Sequence, residues 1–159
     1  FPGLSRRDPA YYRADLMNYV LGRGFMSRLN MRIREEMGLA YYVWSNYQAY
    51  WGAGPWMLQM GVAPANTHKA LAAALEELGR LQQEPPSQEE LKLWKDYVEG
   101  MVAREMETYA GIAQNLVLSA FYDLGLYFPY EYPALLKAIT AEEVHQAAQQ
   151  SCIRKHMWR

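Results

Sequence analysis

A segment that favours a helix runs directly into one that favours a strand at residues 32–46, RIREEMGLAYYVWSN. Apolar residues recur at helical spacing after Ser27, and Gly38 is the residue type that most often follows a helix end. Residues 39–50 are then rich in the aromatic types that favour strands. This junction therefore predicts a helix that stops at Gly38 and is followed at once by a strand.

A hairpin is predicted beyond the junction. WGAGP (51–55) has the composition of a turn, and WMLQMGV (56–62) supplies a returning strand. Because side chains alternate along a strand, those of the first strand divide into two faces. One face carries Val43, Ser45 and Tyr47, and the other carries Tyr42, Trp44 and Asn46. The two strands are expected to pair antiparallel.

Helices are predicted on both sides of the hairpin. Asp8 and Pro9 suit the N-cap and first position of a helix that LGRG (21–24) breaks. After the hairpin, residues 65–82 are rich in Ala and Leu, which are strong helix formers. We therefore expect one helix before the junction helix and a longer one after the hairpin.

A capping box marks the start of the next helix. Ser87 and Glu90 stand three residues apart after a pair of prolines, which is the spacing of such a box. The helix is predicted to extend to about residue 118, with interruptions or kinks near Gly100 and Gly111.

A second capping box, formed by Thr140 and Glu143, opens the last predicted helix. The order of helices, hairpin and helices predicts an α+β fold, in which an antiparallel sheet is layered against several α-helices. A length of 159 residues is typical of one domain, so residues 1–159 are expected to form a single domain.

Composition excludes several classes of protein. The chain is 51% apolar and 21% charged, as in a globular domain, and its net charge of −1 gives no general attraction to nucleic acid or anionic lipid. No apolar run approaches the roughly 20 residues that span a bilayer. The lone Cys152 forms no internal disulfide, so the compartment, cytoplasmic or periplasmic, is left open.

No metal site is predicted on this chain. His68, His145 and His156 share no ligand spacing, and we expect all three to be solvated surface side chains. Cys152 has only His156 near it in the sequence and no nucleophile motif around it. A metal centre or a nucleophilic site built from these residues is therefore disfavoured.

The aromatic hairpin is compatible with stacking on single-stranded nucleic acid. However, no Lys or Arg occurs between Leu39 and Ala63, so the hairpin lacks cations to neutralise phosphates. Packing in the core, or a wall of a peptide groove that includes Trp44 and Tyr47, is favoured instead.

Arg34 and Tyr41 admit two interpretations. In the first, Arg34 pairs with Glu35 or another acid on the helix surface, and Tyr41 packs under the sheet. In the second, both side chains converge at the helix-to-strand junction. A guanidinium and a neutral phenol are hydrogen-bond donors suited to a carbonyl oxygen or a developing oxyanion. These donors would need a partner that supplies the nucleophile.

Residues 11–45, YYRADLMNYVLGRGFMSRLNMRIREEMGLAYYVWS, resemble the C-terminal, non-zinc-binding domain of M16 zinc metallopeptidases, the pitrilysin, insulinase and mitochondrial-processing-peptidase-like family. That domain carries N-x-x-L-G-G-G, then S-R-L, then R-x-x-x-G-L-A-Y. The matching residues are Asn18, Leu21, Gly22, Gly24, Ser27, Arg28, Leu29, Arg34, Gly38, Leu39, Ala40 and Tyr41. The later segments PSQEELKLWKDYVEG, ETYAGIAQNL and ITAEEVHQAA also fit, so the resemblance extends from about residue 8 to residue 150.

The resemblance implies a fold like that of LuxS/MPP-like metallohydrolases and a role as one half of a clamshell peptidase. The other, zinc-bearing half carries H-x-x-E-H, which this chain lacks, so the chain alone is expected to be inactive. The family's Arg and Tyr, seven residues apart, match Arg34 and Tyr41 as residues that bind substrate and stabilise the transition state. The implied partners are the zinc-bearing half, on the same polypeptide or a separate subunit, and a peptide substrate.

Three features depart from the family pattern. Arg23 occupies the middle of GRG where the family has glycine, and the tail SCIRKHMWR lacks the alternation of a strand. The chain begins with Phe and looks like a piece of a longer protein without its first strand, so unpaired edges favour self-association into a homo-oligomer. An alternative function for the same fold is a non-catalytic scaffold subunit of a larger assembly.

Overall fold

The computed structural model describes residues 1–151, with side chains through residue 150. Two strands and six α-helices are described, together with two π-helical segments and one short 3₁₀ turn. In chain order they are α1 (Tyr11–Asn18), a first π-helix (Tyr19–Arg23), a second π-helix (Asn30–Glu36), β1 (Ala40–Tyr47), β2 (Trp56–Val62), a 3₁₀ turn (Pro64–Asn66), α2 (Thr67–Gln83), α3 (Gln88–Glu105), α4 (Tyr109–Phe121), α5 (Phe128–Ala138) and α6 (Ala141–Ser151). This arrangement confirms the predicted α+β class.

The first helix begins later and ends later than the sequence indicated. The Asp8 carboxylate accepts a hydrogen bond from the Ala10 amide at 2.8 Å, and α1 starts one residue beyond, at Tyr11. LGRG does not break the helix at Leu21, because the chain continues as the first π-helix to Arg23. Only at Gly24 does the backbone become extended.

The predicted stop at Gly38 is confirmed. Gly38 has φ +60°, a conformation that a residue with a side chain rarely adopts. Around it, the Met37 amide donates to the Arg32 carbonyl and the Leu39 amide donates to the Ile33 carbonyl, which closes the helix end. The chain therefore reverses at this point and enters β1 within two residues.

The hairpin is confirmed, and its register pairs Val43 with Met60 and Tyr47 with Trp56. The predicted faces of β1 are also confirmed: Val43, Ser45 and Tyr47 are buried, whereas Tyr42, Trp44 and Asn46 are partly or fully exposed. The buried face packs against α1 and the two π-helices. Phe1 extends the pairing, since its carbonyl accepts from the Trp56 amide at 2.9 Å.

The predicted long helix to about residue 118 is wrong. The chain breaks at residues 106–108, between α3 and α4, and not at Gly100 or Gly111. The hydroxyl of Thr108 accepts from the Gly111 amide at 3.0 Å, which makes Thr108 the N-cap of a new helix. Helix α5 was not anticipated, because two prolines fall within its sequence.

The two predicted capping boxes differ. Thr140 and Glu143 form a complete box, in which each side chain accepts from the other residue's amide at 3.2 and 2.9 Å. The Ser87 hydroxyl accepts from the Glu90 amide at 3.1 Å, but the Glu90 carboxylate instead forms a two-pronged ion pair with Arg28 at 2.8 and 2.7 Å.

No helix within residues 1–151 is both long enough and apolar enough to cross a bilayer.

Candidate functional site

An open groove of about 420 Å³ lies at the helix-to-strand junction. Arg34 enters it from the last turn of the second π-helix, and Tyr41 enters it from the start of β1. The other side chains of its wall are mainly aromatic: Phe25, Tyr42, Trp44 and Tyr97. The two residues singled out in the sequence are thus brought to one surface.

Within residues 1–151, Arg34 contacts Glu35 and Phe25. Its Nη1 lies 3.1 Å from Glu35 Oε1, so the helix-surface ion pair considered from the sequence is present. Its Cζ lies 5.5 Å from the centroid of the Phe25 ring, and 37% of the side chain is exposed. An ion pair this exposed to water contributes little energy, so Arg34 is available to a ligand.

Tyr41 is 88% exposed, so the alternative in which it packs under the sheet is wrong. Its ring contacts the Tyr42 ring edge-on at 6.5 Å, and its hydroxyl has no hydrogen-bond partner within residues 1–151. Among the described residues, the phenol hydroxyl is therefore a free donor on a residue that lines the groove.

A β-bulge accounts for the exposure of Tyr41. Strict alternation would place Tyr41 on the buried face with Val43, but the pairing shifts between Ala40 and Tyr42, which leaves Tyr41 unpaired with β2. Tyr41 and Tyr42 are consequently both exposed. Gly61 on β2 pairs with Tyr42, and a Cβ on Gly61 would lie 2.6 Å from the Tyr42 ring.

Two buried asparagines hold β1 against the helices, and we refer to Asn18 and Asn30 as the amide clamp. Asn30 Nδ2 donates to the carbonyls of Val43 at 2.8 Å and Gly24 at 3.1 Å. This contact ties the groove wall at Gly24 to the strand that carries Tyr41.

Asn18 is completely buried and joins three elements. Its Nδ2 donates to the Ser45 carbonyl at 3.2 Å, and its Oδ1 accepts from Ser45 Oγ at 2.6 Å and Trp56 Nε1 at 2.9 Å. Every polar atom of this contact is thus paired, as buried groups must be for stability. Asn18 belonged to the sequence motif, but Asn30 was missed because its hydrogen bond to the Val43 carbonyl spans thirteen residues.

The glycines of the motif permit close approach. A Cβ on Gly22 would lie 2.5 Å from Ser45 Oγ and 2.9 Å from the Ser45 amide nitrogen. A Cβ on Gly24 would lie 2.6 Å from the Trp94 ring. These positions therefore act by letting the first π-helix pack directly on β1 and α3.

Arg23, which departs from the glycine of the family pattern, is partly exposed and forms an ion pair with the buried Asp15. Its Nη1 lies 2.5 Å from Asp15 Oδ1, and Asp15 also accepts from the Tyr132 hydroxyl. Burial acts to lower the pKa of Arg23, but the Asp15 carboxylate acts to raise it, and the net result is a raised pKa. Arg23 remains a cation at one end of the groove.

The remaining predicted residues fall into three groups. Trp44 lines the groove, but Tyr47 is buried against Trp56 and Tyr11 and lines no chamber. His68 is exposed as predicted, whereas the prediction for His145 is wrong, because it is half-buried with Nε2 2.9 Å from the Gln82 carbonyl. Cys152 and His156 lie outside the described residues.

Residues 1–97 match the family described as the peptidase M16 inactive domain. A Streptomyces coelicolor protein named uncharacterized zinc protease SCO5738 is 35% identical over 48% of this chain and 17% of its own length. The Bacillus subtilis protein named uncharacterized zinc protease YmxG is 30% identical over 68% of this chain and 26% of its own length. The chain thus spans about a quarter or less of these relatives.

Two solved structures show the same fold. A peptidase M16 inactive domain from Pseudomonas fluorescens is 27% identical, with a TM-score of 0.85 over 96% of this chain and 36% of that chain. A protease from Helicobacter pylori is 15% identical, with a TM-score of 0.82 over 92% of this chain and 36% of that chain, which is a likeness of fold.

Proposed function

Because the chain belongs to the peptidase M16 inactive-domain family, we propose that its residues 1–159 form one domain, the substrate-clamping half of a zinc endopeptidase of that family. In this proposal, the groove at the helix-to-strand junction holds the peptide against the zinc-bearing half. The chain by itself hydrolyses nothing.

One observation carries the proposal. Arg34 and Tyr41 come from different elements and line the same groove, and 37% of the Arg34 side chain and 88% of Tyr41 are exposed. The Arg34 guanidinium is a donor only, and the Tyr41 hydroxyl can donate as well as accept, so both can donate to the carbonyl oxygens of an extended peptide. No acidic side chain is among the residues that line this groove within residues 1–151, and Arg34 and Arg23 both line it.

The two donors have different roles. The Tyr41 hydroxyl is unpaired within the described residues, and it donates to the carbonyl oxygen as that oxygen becomes an anion in the tetrahedral intermediate. Arg34 donates to a backbone carbonyl of the peptide in both the bound substrate and the intermediate, which supports binding more than turnover. The bulge at Tyr41 and the left-handed Gly38 fix the separation of these two donors.

Zinc belongs to the partner half in this proposal. Two relatives are named zinc proteases, yet no three His, Cys, Asp or Glu side chains in residues 1–151 come together to hold a metal ion. The zinc-bearing half is either a further segment of the same polypeptide or a separate subunit.

Reconstitution tests the proposal. Cleavage of a quenched fluorescent peptide library is measured for this chain alone, for the zinc-bearing half alone, and for the two together, with and without a chelator. We expect cleavage only when both halves are present, and its loss with chelator.

Each alternative result has a definite meaning. Cleavage by the zinc-bearing half alone at the full rate would contradict a role for this chain in the active site. No cleavage by the pair, although the two halves bind each other in sedimentation, would favour a non-catalytic scaffold subunit. Self-association of this chain is measured in the same sedimentation experiment.

A further inference from the structure

Two cations, Arg23 and Arg34, line the groove at the helix-to-strand junction. The other side chains that line it within the described residues are uncharged, and most of them are aromatic. The carboxylates that pair with these arginines, on Asp15 and Glu35, are not among the lining residues. A charged side chain that enters the groove therefore meets positive charge and no acidic group in the walls.

Arg23 is held in place but only partly engaged. Its Nη1 lies 2.5 Å from Asp15 Oδ1, and its Cζ lies 4.5 Å from the centroid of the Tyr19 ring. A guanidinium has several N–H groups, and within residues 1–151 Arg23 donates a hydrogen bond only to Asp15. Since 37% of its side chain is exposed, Arg23 can donate to a ligand while it keeps this partner.

Asp15 fixes Arg23 from outside the groove. The Asp15 side chain is only 3% exposed, and its oxygens accept from Arg23 and from the Tyr132 hydroxyl. Arg23 lines the groove whereas Asp15 does not, so a ligand in the groove contacts the guanidinium and not the carboxylate. Because the ion pair holds the guanidinium before a ligand arrives, less conformational entropy is lost on binding.

We propose that the groove selects substrate peptides with an acidic side chain near the cleaved bond, and that Arg23 determines this specificity. The inference rests on the proposed peptidase function and adds a class of substrate to it. The carboxylate of the substrate accepts from Arg23, while Arg34 and Tyr41 donate to backbone carbonyls. A Lys or Arg side chain at the same position meets two guanidiniums and is disfavoured.

Substitutions in the substrate test the selection. A peptide that the reconstituted enzyme cleaves is resynthesised with Glu, Gln or Lys at each position that flanks the cleaved bond, and kcat/KM is measured for each peptide. We expect one position at which Glu is preferred to Gln by about three- to tenfold, as for one charged hydrogen bond that is partly exposed to water. Lys should be the poorest residue there, and added salt should reduce the preference for Glu. Equal kcat/KM for Glu and Gln at every position would overturn the proposal.

A double substitution tests the role of Arg23. Arg23→Gln combined with Asp15→Asn removes both charges of the ion pair, so no buried carboxylate is left without a partner. The Glu and Gln peptides should then be cleaved equally well, whereas Arg23→Lys should retain part of the preference. Because both peptides are measured on the same sample, their ratio does not depend on how much of the variant is folded.

Arg80→Gln combined with Glu77→Gln is the matched control. Arg80 is likewise an exposed cation that pairs with a buried carboxylate, at 3.0 Å, and neither residue lines the groove. This variant should keep the preference for Glu. A preference that survives the double substitution at Arg23 and Asp15, or that falls equally in the control, would overturn the proposal.

Failure of the proposed peptidase function is recognised separately, as the absence of cleavage of any peptide by the reconstituted pair. In that case, binding to this chain alone is compared for two end-blocked alanine peptides with Glu or Gln at the centre. Amide chemical-shift changes in two-dimensional NMR spectra report the two affinities. Tighter binding of the Glu peptide, lost in the double variant of Arg23 and Asp15, would support selection by Arg23, and equal binding would overturn it.

Discussion

The amide clamp, Asn18 and Asn30, is buried, whereas Tyr41 and Phe25, which we call the rim of the groove, are exposed to solvent. Asn18 is completely buried, and each of its side-chain polar atoms is paired with another part of the protein. Tyr41 and Phe25 on the rim are 88% and 77% exposed, and they touch the rest of the protein only lightly. This difference separates residues that build the site from residues that a substrate can reach.

The comparison also distinguishes the residues within the family motif. Asn18 and Gly22 lie outside the groove lining, and Gly24 is part of it; all three let the first π-helix pack on β1 and α3. Arg34 and Tyr41 line the groove with exposed polar groups. The motif therefore specifies both a scaffold and a pair of donors, and substitutions should divide into those that change stability and those that change activity.

Asn18→Ala should have the largest effect of all, and it should act on stability. It leaves the Ser45 hydroxyl, the Ser45 carbonyl and Trp56 Nε1 buried without partners. At roughly 1–3 kcal/mol for each unsatisfied buried group, partly relieved by relaxation, we expect a loss of about 3–5 kcal/mol in the free energy of unfolding. Urea denaturation followed by circular dichroism measures it.

Asn46→Ala provides the control for that experiment. Asn46 lies on the opposite, partly exposed face of β1 and has no such network. We expect its free energy of unfolding to change by less than about 0.5 kcal/mol. If both substitutions cost the same, Asn18 is not a structural clamp.

The sequence predicted those parts of the site that depend on local interactions. Gly38 ends its helix because of its own backbone freedom, and the hairpin follows from the strand composition on both sides of a turn. The Thr140–Glu143 box is likewise formed by residues three apart. In each case the partners are close in sequence, so the pattern contains the interaction.

The rest depended on contacts between distant residues. Tyr41 is exposed because of a bulge that alternation does not reveal, and Asn30 is positioned by a carbonyl thirteen residues away. His145 is half-buried because α6 packs against α2 near Gln82. The break before α4 follows the end of α3 at Glu105, and the new helix begins because Thr108, and not a glycine, caps it.

Tyr41→Phe should have the largest effect on activity and almost none on stability. Removal of the hydroxyl keeps the ring but deletes the donor to the oxyanion, and loss of one such donor lowers kcat on the order of 10²-fold. Because the side chain is 88% exposed, the unfolding midpoint should not change. Steady-state kinetics of the reconstituted enzyme gives kcat.

Tyr109→Phe is the matched control, since Tyr109 is 94% exposed but lies on α4, away from the groove. It should leave kcat unchanged. An unchanged kcat for Tyr41→Phe would eliminate the proposed role of its hydroxyl, whereas a fall in stability would assign Tyr41 to the scaffold.

Arg34→Ala should have a smaller effect, and it should appear in KM. The guanidinium is proposed to bind a peptide carbonyl in both the ground state and the intermediate, so its loss weakens binding with little change in kcat. A charged hydrogen bond at this exposure corresponds to about a tenfold rise in KM. Arg32→Ala is the control, because Arg32 pairs with Glu36 on the same helix outside the groove. A KM equal to that of wild type would contradict the assignment.

Phe25→Ala should have the smallest effect and should show how the rim positions Arg34. The Arg34 guanidinium lies 5.5 Å from the Phe25 ring, and an exposed contact of this type is worth about 0.5–1 kcal/mol. We expect a rise in KM of roughly two- to fivefold, with kcat and the unfolding midpoint unchanged, because Phe25 is 77% exposed. Met26→Ala, at the neighbouring exposed position outside the groove, should have no effect on KM.

In an Arg34→Ala background the Phe25→Ala effect should disappear, since a residue that acts only through Arg34 has nothing left to position. An undiminished effect in that background would instead mean that Phe25 touches the peptide directly, and the rim would then contain a third contact with the substrate.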